Sequence, residues 1–518
     1  MMPGFHVENF GCRAARADGE AVSGRLRAAG LSERNPAAAD VVVVNTCSVT
    51  AEADRAARAF IRRAHRINPA ARIVVTGCYA QRAPEELAGI AGVAAVVGNS
   101  HKALAPEIAL NLTRKWDADR AGVVPDVPPP LVSVQALIAG GASASAPIWA
   151  DDRFAHSFLE EAQVMPGAQT RPNLKIQEGC GNRCTFCVIP QTRGSSRSLP
   201  AASVLKQVEG FVAAGGNELV LSGINLGRWG RDISGPVFQR GWKDTAGFPP
   251  FPQKEAERMG HGASLEDPSR PTLAWLVRQI FERTALPRLR LSSIEPMDWD
   301  PELIGLMAEF GGTRLARHAH LPLQSGSDAV LRRMHRRYRP WHYEEKVEAL
   351  LRAAGSELTL GADVMAGFPG ETDREFSETQ DFVRALPFGY LHLFPFSARP
   401  GTRGWALHAE KPVPAGVVEE RMAALRTLAA EKSRAHRRRF VGRELEAITL
   451  HAPPALEASG RTAALTENFL PLEMEGWLPA NRLVRVRVSG LNGEGTLEAG
   501  DSNRPYAVRS AEPSQCYT

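Results

Sequence analysis

KIQEGCGNRCTFCVIP, residues 175–190, sets Cys180, Cys184 and Cys187 three and then two residues apart, directly after a strand-like run, LKIQE. A tight loop of this kind can present three thiolates to one [4Fe–4S] cluster, whose protein ligands are cysteine sulfurs. Three ligands for four irons leave one iron uncapped, open to chelation by a small molecule that carries an amine and a carboxylate. A structural zinc site is the alternative. It needs a fourth Cys or His at matching spacing, and none follows Cys187 nearby.

Outward from this loop, strand and helix patterns alternate over residues 171–440. The strands are the runs LKIQE, ELVLSG, RLRLSSI, RHAHLPL, TLGADVMAG and YLHLFPF. Such alternation predicts a parallel β/α (TIM-like) barrel, closed or partial, with its active site at the carboxyl ends of the strands. Residues 231–270, rich in Gly, Pro and aromatic residues, predict a surface insertion, and the basic stretch 418–440 a closing helix. The cysteine spacing, with Phe186 before the last thiol, is the signature of the radical SAM superfamily. That resemblance implies S-adenosylmethionine (SAM) on the uncapped iron and its reduction to a 5′-deoxyadenosyl radical, chemistry that the cofactors carry. In GGNELVLSG, the turn Gly215–Gly216 with Glu218 is similar to the turn that approaches the SAM methionine in such barrels; a helix C-cap followed by a strand is the equal alternative. Ser293 and Glu295 (LSSIEP), Gln324 and Ser325 (PLQSGS) and Asp363 (GADVMAGFPG) also fall at strand ends. They are candidates for SAM or substrate contacts.

Residues 1–115 alternate in the same way, with strands HVENF, VVVVN, RIVVTG and AAVVG and helical patterns at 18–29 and 52–67. This predicts a Rossmann- or flavodoxin-like parallel sheet. Cys12, Cys47 and Cys78 each follow one of the first three strands. In an open parallel sheet those positions share the carboxyl edge, where ligands bind. Three thiols distant in sequence are thus expected to meet as a second three-cysteine [4Fe–4S] site. The alternative is three buried thiols, since a free cysteine is often a small buried hydrophobe. Residues 116–170 dissolve into Pro, Ala, Gly and Ser and predict a linker or insertion with a short helix at 154–161. Residues 441–511 turn β-like (LEAITL, RTAALT, FLPLEM, LVRVRVSG) and predict a small barrel or sandwich. Cys516, two residues from the end, is read as incidental.

Composition narrows the class. The 518 residues exceed one core and fit about three domains. With 44% hydrophobic and 23% charged residues, the chain is ordinary for a soluble protein. No apolar run approaches the roughly 20 residues that span a bilayer, and MMPGFHVENFGC lacks a basic segment followed by an apolar one. The expectation is a cytoplasmic protein with no membrane partner, in which cysteines serve metal or catalytic roles rather than disulfides. A formal charge of +5 with pI near 8.9 permits nucleic-acid binding without demonstrating it.

The motifs NTCSVTAEADRAAR, NPAARIVVTGCYAQ, GCGNRCTFCVIPQTRGSSRS, LSGINLGRWG, LSSIEP, HLPLQSGSDAVLRRMHRRY, GFPGETDREF and FPFSARPGT together resemble the radical SAM methylthiotransferases, over nearly the whole chain. NTCSVTAEAD, the KIQEGC opening and RGSSRS are most similar to the branch that acts on threonylcarbamoyladenosine beside the tRNA anticodon. The resemblance implies two [4Fe–4S] clusters, an auxiliary one in the N-terminal sheet and the SAM-binding one in the barrel, with the C-terminal strands forming a TRAM-like RNA-binding barrel. It implies two SAM per turnover: one methylates a sulfur held at the auxiliary cluster, and the other supplies the radical that removes hydrogen from carbon 2 of N6-threonylcarbamoyladenosine at position 37. The partners implied are tRNA, through its anticodon stem-loop, and an electron donor such as flavodoxin or ferredoxin; the sulfur donor is not revealed. Isopentenyladenosine in tRNA or an aspartate of a ribosomal protein is the rival target. A non-catalytic iron–sulfur RNA-binding protein, or a zinc-binding RNA adaptor, is the rival of another class. One departure stands out. The family usually carries Asn three residues after the first cysteine, and here Ala15 stands there, followed by Arg16, so a polar contact near the auxiliary cluster is expected to be missing.

Three basic tracts are candidates for RNA phosphates: Arg55, Arg58, Arg62 and Arg66; the run RRMHRRYR with Arg332, Arg333, Arg336, Arg337 and Arg339; and Arg434, Arg437, Arg438 and Arg439 just before the β-rich end. A charge run is more often simply a solvated face. Phe469 and Trp477 could stack on bases, with core packing as the alternative.

Overall fold

The computed structural model describes residues 2–114, 146–152, 154, 170–233 and 270–500. The expected linker at 116–170 and insertion at 231–270 lie for the most part outside the described residues, as do Cys516, the end of the C-terminal segment and nearly all of the helix expected at 154–161.

Six parallel strands form the N-terminal sheet, in the order β2 (Ser32–Glu33), β1 (Gly4–Asn9), β3 (Val41–Thr46), β4 (Arg72–Gly77), β5 (Val93–Gly98), β6 (Ile148–Trp149). Every residue of β3, VVVVNT, is buried. A continuous β-branched run suits a parallel strand covered on both faces. The two-residue edge strands β2 and β6 were not legible as hydrophobic runs. The helices α1 (Arg13–Ala28), α2 (Ala51–Ile67) and α3 (Cys78–Arg82) follow β1, β3 and β4. The Thr50 side chain caps α2 by accepting from the Ala53 amide at 3.2 Å, and Glu52 and Asp54 occupy its first turn.

The central unit is a partial barrel. One sheet runs β10 (Arg288–Leu291), β9 (Glu218–Gly223), β7 (Asn173–Glu178), β8 (Arg197–Ser198), and the other β11 (His318–His320), β12 (Thr359–Ala366), β13 (Phe388–Pro395). A parallel bridge between Leu289 and Leu315 and the Ile294 amide donating to the His320 carbonyl at 3.0 Å join the two sheets. All pairs are parallel except β7 with the short β8. Alternation along each strand sends Leu219, Leu221, Leu289, Leu291, Leu360 and Val364 into the large core beneath the helices and the intervening polar residues into the lumen.

The C-terminal strands close into a five-stranded barrel, β14 (Glu444–Thr449), β15 (Arg461–Thr466), β16 (Pro471–Glu475), β18 (Leu497–Ala499), β17 (Leu483–Leu491). This is the barrel, not the sandwich, of the two architectures expected. Its 466–470 turn enters the amino end of the central lumen. Glu467 there pairs with Arg317, and the Asn468 side chain donates to the Glu357 carbonyl at 3.0 Å. The N-terminal unit is fastened to the barrel by the Ala51 amide on Ser397 Oγ, 3.0 Å, and by Arg399 on Asp54, 2.6 Å. No helix among the described residues is long and apolar enough to cross a membrane.

Candidate active site: two cysteine triplets and a buried charge network

Cys180, Cys184 and Cys187 lie on the loop that leaves the carboxyl end of β7. Gly179, at φ +72°, makes the turn; a Cβ there would stand 1.9 Å from the Ser195 carbonyl oxygen, so only glycine fits. The loop is pinned at Thr185, whose amide and hydroxyl donate to the Met334 and Arg333 carbonyls, both at 3.1 Å. Donors converge on the sulfurs: the Asn182 amide (3.4 Å) and the Asn225 side chain (3.7 Å) on Cys180, and buried Arg336 (3.3 Å) on Cys184. Arg336 also pairs with Glu295. A cavity of about 460 Å³ opens beside the three thiols, bordered by His335 and Arg403. Burial pushes the Cys187 thiol up to about 12 and raises that of Cys180. Such thiols stay protonated until a bound cation deprotonates them outright.

Cys12, Cys47 and Cys78 stand at the carboxyl ends of β1, β3 and β4, Cys12 exposed and the other two buried. Gly11, at φ +106°, brings the first loop against the second: a Cβ on it would lie 2.4 Å from Cys47 Cβ and 2.7 Å from its Sγ. Burial, followed by the neighbouring Cys78 and Cys12 thiolates, pushes Cys47 up to about 12. Two donors reach Cys78 Sγ, Arg193 Nε at 3.2 Å and Asn99 Nδ2 at 3.4 Å. Among the described residues, the one group of His, Cys or carboxylate ligand atoms mutually within 4.8 Å is His320, Asp363 and His392. Neither thiol triplet is therefore gathered around a single ion. Three spread thiols with N–H donors on sulfur fit an iron–sulfur cluster better than zinc.

A buried charge network ties the two cysteine sites. Arg193 ends the short helix Ile189–Arg193 and is fully buried. Its Nη1 donates to Asp18 (2.9 Å) and to Glu178 (2.5 Å), two residues before Cys180. Lys102 and Lys175 contact the same two carboxylates. Burial alone would raise Asp18 and Glu178, but Lys102, Lys175 and Arg193 outweigh it and hold both below the carboxylate range. Burial lowers Lys102, opposed by its contacts with Asp18 and Glu178.

Several sequence expectations need correction. Gly215, Gly216 and Glu218 lie at the amino end of β9, the opposite edge from the cysteine loop. Gly215 and Gly216 end the helix Ala201–Ala213, and the Gly215 carbonyl accepts from Asn481 of the small barrel at 2.9 Å. Glu218 is buried against Arg290 (2.9 Å) and Arg288 (3.5 Å). The turn is the C-cap of the alternative reading. Arg336 is no RNA-facing side chain, since it is spent on Cys184 and Glu295; Arg333 pairs with Glu375 and Arg339 with Asp328. Arg332 and Arg337 are exposed. Arg58 is half-buried and pairs with Glu86, whereas Arg55, with Glu52 beside it, and Arg62, Arg66, Arg434 and Arg438 are exposed. Arg437 and Arg439 donate to the Gly495 and Ser356 carbonyls. Phe469 is half-buried. It packs in the barrel mouth on His318 (4.4 Å between centroids) and Tyr390 (5.5 Å), beneath Arg290 and Arg13. Trp477 is 61% exposed. Ala15 is buried, and its carbonyl accepts from Asn45, so a polar contact persists there through the backbone.

Of the remaining candidates, Ser293 and Glu295 follow β10, and Glu295 reaches the cysteine loop through Arg336. Ser325 is buried on Thr379, and Gln324, at φ +65°, keeps a buried Oε1 without a hydrogen-bond partner. Asp363 faces the lumen between His320 Nε2 (3.2 Å) and His392 Nδ1 (3.3 Å). Although burial would raise it, those two rings hold it well below the carboxylate range. Sequence reasoning missed Asn225, Arg193, Asp18, Lys175, Lys102, Glu178, His320 and His392. Arg193, Lys175 and Glu178 sit inside motifs already singled out, RGSSRS and KIQEGC, without an assigned role; Asp18 and Lys102 carried no signal.

Residues 4–98 match the family described as "Uncharacterized protein family UPF0004", and residues 258–383 match the Radical SAM superfamily. The Threonylcarbamoyladenosine tRNA methylthiotransferase MtaB of Bacillus subtilis (strain 168) is 31% identical over 488 residues, 93% of either chain. The chain belongs to the radical SAM methylthiotransferase family. The methylthiotransferase is also 30% identical to the MtaB of Aquifex aeolicus (strain VF5), over 93% of this chain and 99% of that one. It is 32% identical to the tRNA-2-methylthio-N(6)-dimethylallyladenosine synthase of Sorangium cellulosum (strain So ce56), over 86% and 82%. As a radical SAM enzyme it uses SAM and a [4Fe–4S] cluster.

Proposed function

We propose that this methylthiotransferase acts on carbon 2 of N6-threonylcarbamoyladenosine at position 37 of tRNA. In this reading Cys180, Cys184 and Cys187 hold the SAM-binding [4Fe–4S] cluster, and Cys12, Cys47 and Cys78 hold a second. The observation that carries it is the pair of three-thiol sites, one on a single loop and one at the ends of three adjacent strands, each with N–H donors on sulfur and linked through Arg193 from Cys78 to the strand that leads into Cys180. The clusters and SAM supply the radical and the methylthio group, because an adenine C–H bond is inert to acid–base catalysis near neutral pH.

The chain's own residues would work as follows. Asn182, Asn225 and Arg336 stabilise thiolate charge at the first loop by hydrogen bonding. Glu295 keeps Arg336 oriented. The lumen side chains His320, Asp363 and His392 give a polar lining beside the strands, which suits a substituent bearing hydroxyl and N–H groups better than an apolar isopentenyl group. Exposed Arg62, Arg66 and Arg438, with Trp477 on the small barrel, offer phosphate and base contacts to an anticodon stem-loop. An electron donor such as flavodoxin or ferredoxin is required. Supporting the assignment are the two relatives named for threonylcarbamoyladenosine over most of their length. Nucleoside analysis of tRNA by mass spectrometry, from strains with and without the gene, tests it. Loss of the 2-methylthio form of threonylcarbamoyladenosine alone is expected. Loss of the isopentenyl form instead, or of neither, refutes it.

A further inference from the structure

Arg193 has a donor to spare. Its guanidinium is fully buried, Nε is on Cys78 Sγ at 3.2 Å, Nη1 is on Asp18 and Glu178, and Nη2 has no hydrogen-bond partner. Leaving a buried, charged N–H unpaired is costly. The planar guanidinium fixes where Nη2 points. Nε–H and one Nη2–H form a side-on fork, two parallel donors on one edge. With Nε on the Cys78 sulfur, the free donor is directed alongside it, into the same cysteine site.

Charge leads to the same place. Lys102, Lys175 and Arg193 are three cations against two carboxylates, Asp18 and Glu178, and all five side chains are at most 12% exposed. A buried excess of one positive charge calls for a nearby anion, and the fork aims Arg193 at Cys78. We infer that Arg193 grips the second cluster side-on, with Nε on the Cys78 thiolate and Nη2 on an adjacent inorganic sulfide, and thereby raises that cluster's reduction potential. Hydrogen bonds to cluster sulfur and compensated net charge are levers that set such potentials. Arg193 is then a positioning and tuning residue, and the role rests on the two-cluster reading above.

The test uses the full chain with Cys180→Ala, Cys184→Ala and Cys187→Ala, reconstituted anaerobically so that the remaining cluster alone is seen. In an EPR-monitored redox titration, Arg193→Gln is expected to lower the midpoint. At the potential where half of the parent clusters are reduced, about one in eleven of the variant's should be, a tenfold fall in the ratio, or 59 mV for one electron. Arg193→Lys, which keeps charge but loses the fork, should fall between. Equal midpoints overturn the inference. Because a buried variant can fail to fold, the same parent is labelled with 15N-arginine. Coupling of the reduced cluster to a guanidinium nitrogen is expected, and its absence overturns the inference as well. A parent that binds no iron removes the two-cluster reading together with this one. About four irons per chain with neither shift nor coupling removes this one alone.

Discussion

Arg336→Met is the perturbation whose cost the structure fixes best. Arg336 is 5% exposed, and its guanidinium meets Glu295, Cys184 Sγ at 3.3 Å and the Tyr338 hydroxyl at 3.2 Å. Removing one partner of a buried pair costs about 3–5 kcal/mol, because the other charge is left uncompensated. Glu295 keeps 22% exposure, which places the cost at the lower end, about 3 kcal/mol. At 1.36 kcal/mol per decade, amides of the 180–187 loop should open and exchange with deuterium roughly 150-fold faster in the metal-free variant. Adding Glu295→Gln removes the orphaned charge, so the double variant should return to within about fivefold of the parent. Hydrogen exchange by mass spectrometry on the full chain reads both. A double variant that exchanges as fast as Arg336→Met refutes the pairing argument, and an unchanged single variant refutes the burial argument.

Other perturbations separate the remaining parts. Gly11→Ala, which needs φ +106° and puts a Cβ against Cys47, should cut iron from about eight to about four per chain, with SAM cleavage retained; iron and acid-labile sulfide analysis checks it. His436 is buried on Thr359, and burial, then Arg439 and Arg437, lowers it to about 4. The unfolded chain, with His near 6.5, binds the extra proton first, so stability is whole above about 6.5, falls by about 3 kcal/mol as pH drops to about 4, and is level below. His436→Gln should flatten that part of the pH profile of thermal unfolding. Arg62→Ala with Arg66→Ala should weaken tRNA binding evenly across sequences and reduce the salt slope by about 1 for each phosphate that is no longer neutralised. Trp477→Ala should cost about 1–3 kcal/mol of affinity for a single-stranded loop; filter binding over a salt series reads both.

What the sequence revealed followed the range of each signal. The Cys180 loop was legible because its three thiols are local. Cys12, Cys47 and Cys78 could be grouped because strand order in a parallel sheet is a short-range inference, and β1, β3 and β4 are adjacent. Of the two readings of the Gly215–Glu218 turn, the C-cap holds, as ELVLSG itself puts Glu218 at the start of a strand, far from the carboxyl edge. Arg336 reads as part of a charged tract because a run of arginines hides the turn at Met334 and the buried Tyr338 that carry one of them inward. Asp18 meets Lys175 across 157 positions, and His320 and His392 meet Asp363 only once strand register is set. No local pattern encodes either.

The turn at Phe469 has a mechanical corollary. With its ring seated on His318 and Tyr390, and Glu467 clamped by Arg317, the central barrel is stoppered at one end. That end would be closed to a nucleobase entering the lumen. The stopper belongs to the very module that would grip the RNA.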